Sequence, residues 1–141
     1  MTPKEWDAFI SENFGGVAKD NPWKKEPEFT VFRHVDNQKW LGLRFFATRE
    51  QLLKLKADDE IVKSYAEGER IEIANVKVEP EMIQDIISWT GFLPAFHMSR
   101  RHWVTIVLDG EVDAVRTRAL TEMSYNLTAK KIRKVQNEKE K

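Results

Sequence analysis

The amino-acid sequence predicts one α+β domain in which helices pack against a mainly antiparallel sheet. Two segments rich in aromatic and β-branched residues, 29–35 and 40–46, are separated by a short polar turn, which indicates a hairpin. Helix signals occur at both ends of the chain and not after every strand, unlike the regular alternation of a parallel α/β fold. The length of 141 residues is close to the commonest domain size, so we expect residues 1–141 to form a single domain.

The first helix is predicted from its start signal. Thr2 precedes a proline and is followed three residues later by Glu5, which together form a capping box. We expect this helix to run to about Phe14 and to end at Gly15 and Gly16. Its buried face is predicted to contain Trp6, Phe9, Ile10 and Phe14.

The second hairpin strand shows the alternation of a half-buried strand. Leu41, Leu43 and Phe45 share one face, which we expect to face the core, and Trp40, Gly42 and Arg44 share the other face. Lys39 then lies at the tip of the hairpin.

The middle of the chain predicts a short helix and a third strand. Thr48 with Gln51 forms a second capping box, so residues 49–55 are predicted to be helical, followed by a charged stretch to residue 69. Residues 70–78 are predicted as a strand. The phase of the apolar alternation changes within it, which predicts a bulge or bend near residues 74–75.

The last third of the chain predicts a helix, a strand and a long helix. Pro80 opens a helix that Gly91 ends as a left-handed cap, and residues 102–108 follow as a strand after a loop through Pro94. Asp113 caps the final helix. Its apolar stripe is predicted to be Val115, Ala119, Met123 and Leu127, and a charged tail is predicted to fray from about residue 132.

Composition excludes several classes of site. The chain has no cysteine, which excludes disulfides and thiolate chemistry, and its 23 basic residues balance 23 acidic ones, which excludes a global basic field. Charged residues interrupt the N-terminal segment and no apolar run is long enough to span a bilayer, so we expect no signal peptide, no membrane partner and a cytoplasmic location.

Motif searches predict a binding protein and not an enzyme. The sequence has no glycine-rich phosphate loop, no zinc-protease helix and no serine nucleophile elbow, so we expect no catalytic residues, no cofactor and no metal. His97 and His102 could be metal ligands with Asp109 as a third, but their spacing is not diagnostic and lone histidines more often serve as packing or hydrogen-bonding groups.

Residues 94–103 form the segment richest in functional groups. Arg100 and Arg101 are adjacent, and a guanidinium matches the oxygens of a phosphate, while Phe96 or Trp103 could stack on a base. The alternative is a pair of exposed arginines that form ion pairs with carboxylates, which would contribute only about 0 to 1 kcal/mol each. Anion binding is therefore the best local hypothesis.

Several segments resemble the MmcQ/YjbR family. They are Asn21-Pro22-Trp23, Asn75-Val76-Lys77-Val78-Glu79-Pro80, Pro94 with His97-Met98, His102-Trp103-Val104 and Ser124-Tyr125. The resemblance implies a CyaY-like α+β fold and DNA binding, and by motif it points to Lys77, His97, Arg100, Arg101, His102 and Trp103. The long polar segment 47–69 departs from the family pattern.

Two functional hypotheses follow. In the first, the chain binds DNA through Arg100, Arg101, the hairpin tip with Lys39, and the basic end of the last helix, and its affinity falls steeply with salt. In the second, it is a protein-interaction module that presents an exposed face to a partner or to its own copy, with little dependence on salt.

Overall fold

A computed structural model describes residues 1–130 of the chain, and it confirms the α+β class. Six antiparallel strands form one sheet in the order β1-β2-β3-β4-β6-β5. The elements are α1 (Pro3–Asn13), β1 (Val17–Asp20), β2 (Thr30–His34), β3 (Trp40–Thr48), α2 (Arg49–Leu53), α3 (Glu60–Lys63), β4 (Arg70–Lys77), a 3₁₀ turn (Pro80–Met82) that continues into α4 (Ile83–Ile86), β5 (Phe92–Pro94), β6 (Trp103–Val107) and α5 (Ala114–Thr128). The tail predicted from about residue 132 lies outside the described residues, and likeness to CyaY stays a prediction.

The predicted helix starts and the hairpin are confirmed. The side chains of Thr2, Thr48 and Asp113 each accept a hydrogen bond from a backbone N–H of the helix that follows, and the first two complete capping boxes. Strands β2 and β3 pair as the predicted antiparallel hairpin. The predicted core face of β3 is confirmed, because Leu41, Leu43 and Phe45 are buried, but Gly42 on the opposite face is buried as well. No helix among the described residues is long and apolar enough to cross a membrane.

Three short elements escaped the sequence prediction. Strand β1 has four residues at one edge of the sheet, β5 has three residues at the other edge, and α3 is a single turn of helix. Each is too short to show a periodic pattern, and each depends on neighbours for its stability. The turn of α3 is fixed by Asp59, whose buried carboxylate accepts hydrogen bonds from the backbone of Ile61 and Val62.

The prediction of a bulge in β4 was wrong. This strand pairs without a register shift with β3 on one side and β6 on the other. Successive residues Ile73, Ala74, Asn75 and Val76 are all buried, although they point alternately to opposite faces of the sheet. The change of phase in the sequence therefore reflects a strand that is covered on both faces.

The buried face of α5 was also predicted wrongly. Val115 is 68% exposed and Ala119 is exposed, while Met123 and Leu127 are only partly buried. The residues that face the sheet are instead Leu120 and four small hydroxyl residues: Thr117, Thr121, Ser124 and Thr128. Three of these hydroxyls donate to the backbone carbonyl four residues earlier, so they are buried without an unmet donor.

Hydrogen bonds attach α5 to both the sheet and α1. The Ser124 hydroxyl donates to the carbonyl of Leu41 in β3 and accepts from the backbone N–H of Lys77 at the end of β4 at 2.8 Å. The indole Nε1 of Trp6 donates to the hydroxyl of Thr121 at 2.9 Å. Ser124 of the Ser-Tyr pair noted in the sequence thus fixes the last helix against the strand end that carries Lys77, whereas the hydroxyl of Tyr125 donates to the carbonyl of Gly15.

Two glycines permit close packing. A Cβ at Gly42 would lie 3.0 Å from the ring of Trp6, so the indole can rest directly on β3. Gly91 adopts a left-handed conformation (φ +86°), as predicted, and a Cβ there would lie 2.5 Å from a methyl group of Val112.

Candidate functional site

The predicted nucleic-acid-binding residues lie at one end of the sheet. Lys39 directly precedes β3 and Lys77 ends β4, while Arg100, Arg101 and His102 directly precede β6. Antiparallel pairing places the start of β3, the end of β4 and the start of β6 side by side, with β4 in the middle. Two strand spacings amount to about 10 Å. We call this set of five residues the basic end.

The cations of the basic end are free of ion pairs within the described part of the chain. No salt bridge there involves Lys39, Lys77, Arg100 or Arg101, whereas Arg44 on the sheet contacts two carboxylates within 2.7 Å. The alternative prediction, that the two arginines are neutralised by carboxylates, therefore fails among residues 1–130. Three acidic residues adjoin the basic end in sequence and reduce its potential: Asp36, Glu79 and Glu81.

Arg100 and Arg101 are exposed beside the 3₁₀ turn. With Pro80, Ile83 and Gln84 they line a shallow, open cavity of about 250 Å³. The turn that carries them is closed by the backbone N–H of Trp103, which donates to the carbonyl of Ser99 at 2.9 Å. This turn directs both guanidinium groups outward from a rigid strand start.

A closed ring of three hydrogen bonds fixes the start of the loop that connects β5 to β6. The amide of Asn75 in β4 donates to the carbonyl of Phe96 at 2.8 Å, and the backbone N–H of Phe96 donates to the hydroxyl of Thr105 in β6 at 2.8 Å. The Thr105 hydroxyl in turn donates to the side-chain oxygen of Asn75 at 2.6 Å. Both side chains are fully buried, so every polar atom in this ring has a partner in the dry interior.

His97 follows directly and has an unusual backbone. Its φ is +65°, in the left-handed region that few residues other than glycine adopt. Its imidazole is exposed, and its ring centre lies 3.8 Å from that of Phe96. No hydrogen bond within residues 1–130 involves this side chain.

The structure does not bring His97, His102 and Asp109 together as a metal site. Among the described residues no group of three or more histidine, aspartate and glutamate side chains is arranged to hold a metal ion. The Asp109 carboxylate instead accepts a hydrogen bond from the hydroxyl of Tyr65, and burial together with this carboxylate raises the pKa of the Tyr65 phenol.

A second feature, which the sequence analysis missed, is a cleft beside His97. It has a volume of about 360 Å³, and its lining includes Phe29, Phe45, Phe96, His97, Gln51 and Arg70. We call it the aromatic cleft. One wall is the loop from Asn21 to Phe29, which Asn21 closes by donating from its side-chain amide to the carbonyls of Pro27 at 2.9 Å and Phe29 at 2.8 Å. The Asn-Pro-Trp triplet was the sequence signal for this wall.

Comparison with known proteins gives consistent matches over most of the chain. A family model described as YjbR matches residues 12–127. The Bacillus subtilis (strain 168) protein YyaQ, described as uncharacterized, is 34% identical over 128 residues, which cover 91% of this chain and 98% of that protein.

Solved structures agree with these matches. A crystal structure of a Pseudomonas syringae protein superposes with a TM-score of 0.78 at 29% identity, covering 92% of this chain and all of the other. A Deinococcus radiodurans protein with a DUF419 domain superposes with a TM-score of 0.65 at 20% identity, covering 98% of this chain and 86% of the other, and it supports the fold alone.

Proposed function

The chain belongs to the YjbR family, and from that premise we propose that it is a DNA-binding protein that uses the basic end of its sheet. The observation that carries this proposal is the convergence, at one end of the sheet, of four cations that form no ion pair with residues 1–130: Lys39, Lys77, Arg100 and Arg101. The proposal assigns the chain no catalysis, and it places the protein in the cytoplasm.

The geometry suits contacts to a phosphate backbone. Phosphates along one DNA strand are about 3.4 Å apart along the helix axis, so a basic end about 10 Å wide spans roughly three of them. An exposed guanidinium can donate two parallel hydrogen bonds to a phosphate. Because the cations are not committed to carboxylates, no ion pair has to break before they bind.

The balanced charge of the chain sets the expected strength. With no global basic field, attraction is local and limited to these few contacts. Backbone contacts alone carry no sequence information, so we expect weak binding of mixed sequences, with Kd on the order of 10⁻⁴ to 10⁻⁶ M at physiological salt.

A salt titration tests the proposal. Three to four phosphate contacts predict a slope of roughly −2.7 to −3.6 in log affinity against log salt, which is a fall of about 40- to 150-fold between 50 and 200 mM. The measurement is fluorescence anisotropy of a labelled mixed-sequence duplex. Replacing Arg100 and Arg101 with alanine should reduce the slope by about 1.8.

Lys4→Ala with Lys63→Ala is the matched control. Both lysines are exposed and lie outside the basic end, so this variant loses the same charge elsewhere on the molecule. We expect it to keep the wild-type slope. If the two double variants weaken binding equally, the contact is not the basic end, and if wild type does not bind at 50 mM salt, the proposal fails.

A protein-interaction function is the second candidate, because one edge of the sheet is open. Strand β1 pairs only with β2 among the described residues. Nearby, Trp23 is 42% exposed and Val35 is 53% exposed. An open edge can pair with a strand of another chain through backbone hydrogen bonds. Self-association in sedimentation experiments that is unchanged between 50 and 500 mM salt, with no DNA binding, would favour this candidate.

A further inference from the structure

We propose that the aromatic cleft is a nucleotide site, in which a nucleobase stacks beside His97 and a phosphate is held at the rim by Arg70. This site is separate from the basic end. The cleft lies at the start of the β5–β6 loop, whereas Arg100 and Arg101 lie near the end of that loop. The loop would then contact a nucleotide at one end and a phosphate backbone at the other.

Four separate segments of the chain build this cleft. Asn21 closes the loop that forms one wall, and Phe45 lies in β3. Asn75 in β4 and Thr105 in β6 use their buried polar groups to hold the backbone of Phe96. Three of these four residues lie in or directly beside the segments on which the family resemblance rests, so these segments serve one cavity as well as the fold.

The aromatic rings in the cleft lie nearly parallel. The rings of Phe29 and Phe45 are 4.8 Å apart at an angle of 12°, and those of Phe45 and Phe96 are 6.0 Å apart at 15°. The imidazole of His97 packs against this stack: its ring centre lies 3.8 Å from that of Phe96 with the planes tilted by 35°, and 6.4 Å from that of Phe45 at 20°. An exposed flat ring at the end of a stack offers a face to another flat ring, and nucleobases stack on such faces regardless of sequence.

The backbone of His97 points to a ligand. A residue other than glycine in the left-handed region costs roughly 1 to 2 kcal/mol, and such residues occur in tight turns, as at Gln38 in the hairpin turn (φ +63°), and at ligand-binding sites. The left-handed backbone places the imidazole at the mouth of the cleft, where the ring packs against Phe96 and Phe45, stays exposed and makes no hydrogen bond within the described range.

The rim supplies groups for a phosphate. The guanidinium of Arg70 lies 4.5 Å from the ring centre of Phe46 and forms an ion pair with Glu28, and both partners are about half exposed. Two guanidinium nitrogens of Arg70 donate to the two carboxylate oxygens of Glu28, and a phosphate, which accepts the same bidentate pair of hydrogen bonds, competes with the glutamate for this exposed arginine. Lys25, Glu26 and Gln51 also line the cleft, and the side-chain NH₂ of Gln51 makes no hydrogen bond within residues 1–130. The volume of about 360 Å³ lies in the usual range of small-ligand sites.

A base with a phosphate can come from a free nucleotide or from an unstacked residue of a single strand, and the experiment separates the two. Adenosine 5′-monophosphate, a five-residue oligodeoxyadenylate and a 12-base-pair duplex are titrated into ¹⁵N-labelled protein, and amide shifts are followed by NMR. We expect the first two probes, the monophosphate and the oligodeoxyadenylate, to shift the amides of residues 25, 26, 28, 29, 96 and 97. Equal affinities identify a free nucleotide as the ligand, and at least tenfold tighter oligonucleotide binding identifies a single strand.

His97→Gly is the decisive variant. Glycine accepts the left-handed backbone, so the change removes the ring without adding strain, and we expect affinity for both probes to fall about tenfold, as loss of one stacking contact predicts. The matched control is Gln38→Gly, which gives glycine to another left-handed residue (φ +63°), removes an exposed side chain outside the cleft and should leave the affinity for adenosine monophosphate unchanged. Arg70→Gln should weaken binding of the monophosphate but not of adenosine.

The inference is overturned if the cleft amides shift with neither adenosine monophosphate nor the oligodeoxyadenylate, or if His97→Gly binds both probes with wild-type affinity. Its failure is distinct from failure of the basic end, because duplex binding depends on Arg100 and Arg101 and is measured separately. Loss of duplex binding in the arginine variant, with duplex binding retained in His97→Gly, would support the basic end independently of the result for the cleft.

Discussion

Replacing Asn75 with alanine should destabilise the domain and release the β5–β6 loop at once. Asn75 is fully buried and closes the three-bond ring with Thr105 and the backbone of Phe96. Without its amide, the Thr105 hydroxyl and the Phe96 carbonyl lose their partners in a dry environment. The two consequences are coupled because the same hydrogen bonds hold the sheet and the loop.

The magnitude follows from the atoms left without partners. Each buried polar group that loses its partner costs about 1 to 3 kcal/mol, so Asn75→Ala should lower the free energy of unfolding by roughly 2 to 5 kcal/mol. Thr105→Val removes the hydroxyl at constant shape and leaves the backbone N–H of Phe96 and the side-chain oxygen of Asn75 without partners, so its cost should be similar. The double variant leaves only the two backbone groups of Phe96 without partners. Its cost should therefore fall short of the sum of the two single costs by the cost of two unpaired groups, which is about 2 kcal/mol or more.

Urea unfolding followed by tryptophan fluorescence measures these three free energies. Thr105→Ser is the control, since it keeps the hydroxyl and loses only a methyl group, and it should cost about 1 kcal/mol. The slope of free energy against urea should not change among the variants. Costs below about 1 kcal/mol for both single variants, or strict additivity in the double variant, would refute the reasoning that the ring acts as one unit.

Three further predictions test the packing and the electrostatics. Gly91→Ala should lower the free energy of unfolding by roughly 2 to 4 kcal/mol, because it adds left-handed strain and a contact 2.5 Å from a methyl group of Val112. Gly110 has open space around it, so Gly110→Ala should stay within about 0.5 kcal/mol of wild type in thermal unfolding. Leu120→Ala should cost about 2 to 5 kcal/mol and Val115→Ala less than about 0.5 in the same assay; the reverse order would restore the apolar stripe expected from the sequence. The pKa of Glu5 is lowered by hydrogen bonds from the N-cap threonine, so its contribution to stability should be complete above its ordinary pKa of 4.5 and lost as the pH falls through the lower folded value. The stability difference between wild type and Glu5→Gln should therefore shrink on acidification, and a constant difference from pH 7 to pH 2.5 would exclude this role.

The sequence by itself determined the features that depend on near neighbours in the chain. The capping boxes at Thr2 and Thr48 need only residues three positions away, and the hairpin needs only a turn and two flanking strands. Both depend on residues close in sequence and can therefore be predicted from it. The same holds for the left-handed glycine at position 91. The cluster of cations at 100–101 was also visible, because it is contiguous.

Tertiary structure alone decided which faces are covered and which distant residues meet. The apolar stripe of α5 was predicted from hydrophobicity, but the helix packs through Thr121 and Ser124, since small hydroxyl residues allow close approach and satisfy their donors on the helix backbone and the sheet. The bulge in β4 was predicted from a one-sided sheet, and burial on both faces removed the need for it. The aromatic cleft joins Phe29, Phe45 and His97, which lie far apart in sequence. Strand order brings such residues together, and pairing between distant strands leaves no periodic signal in any one of them.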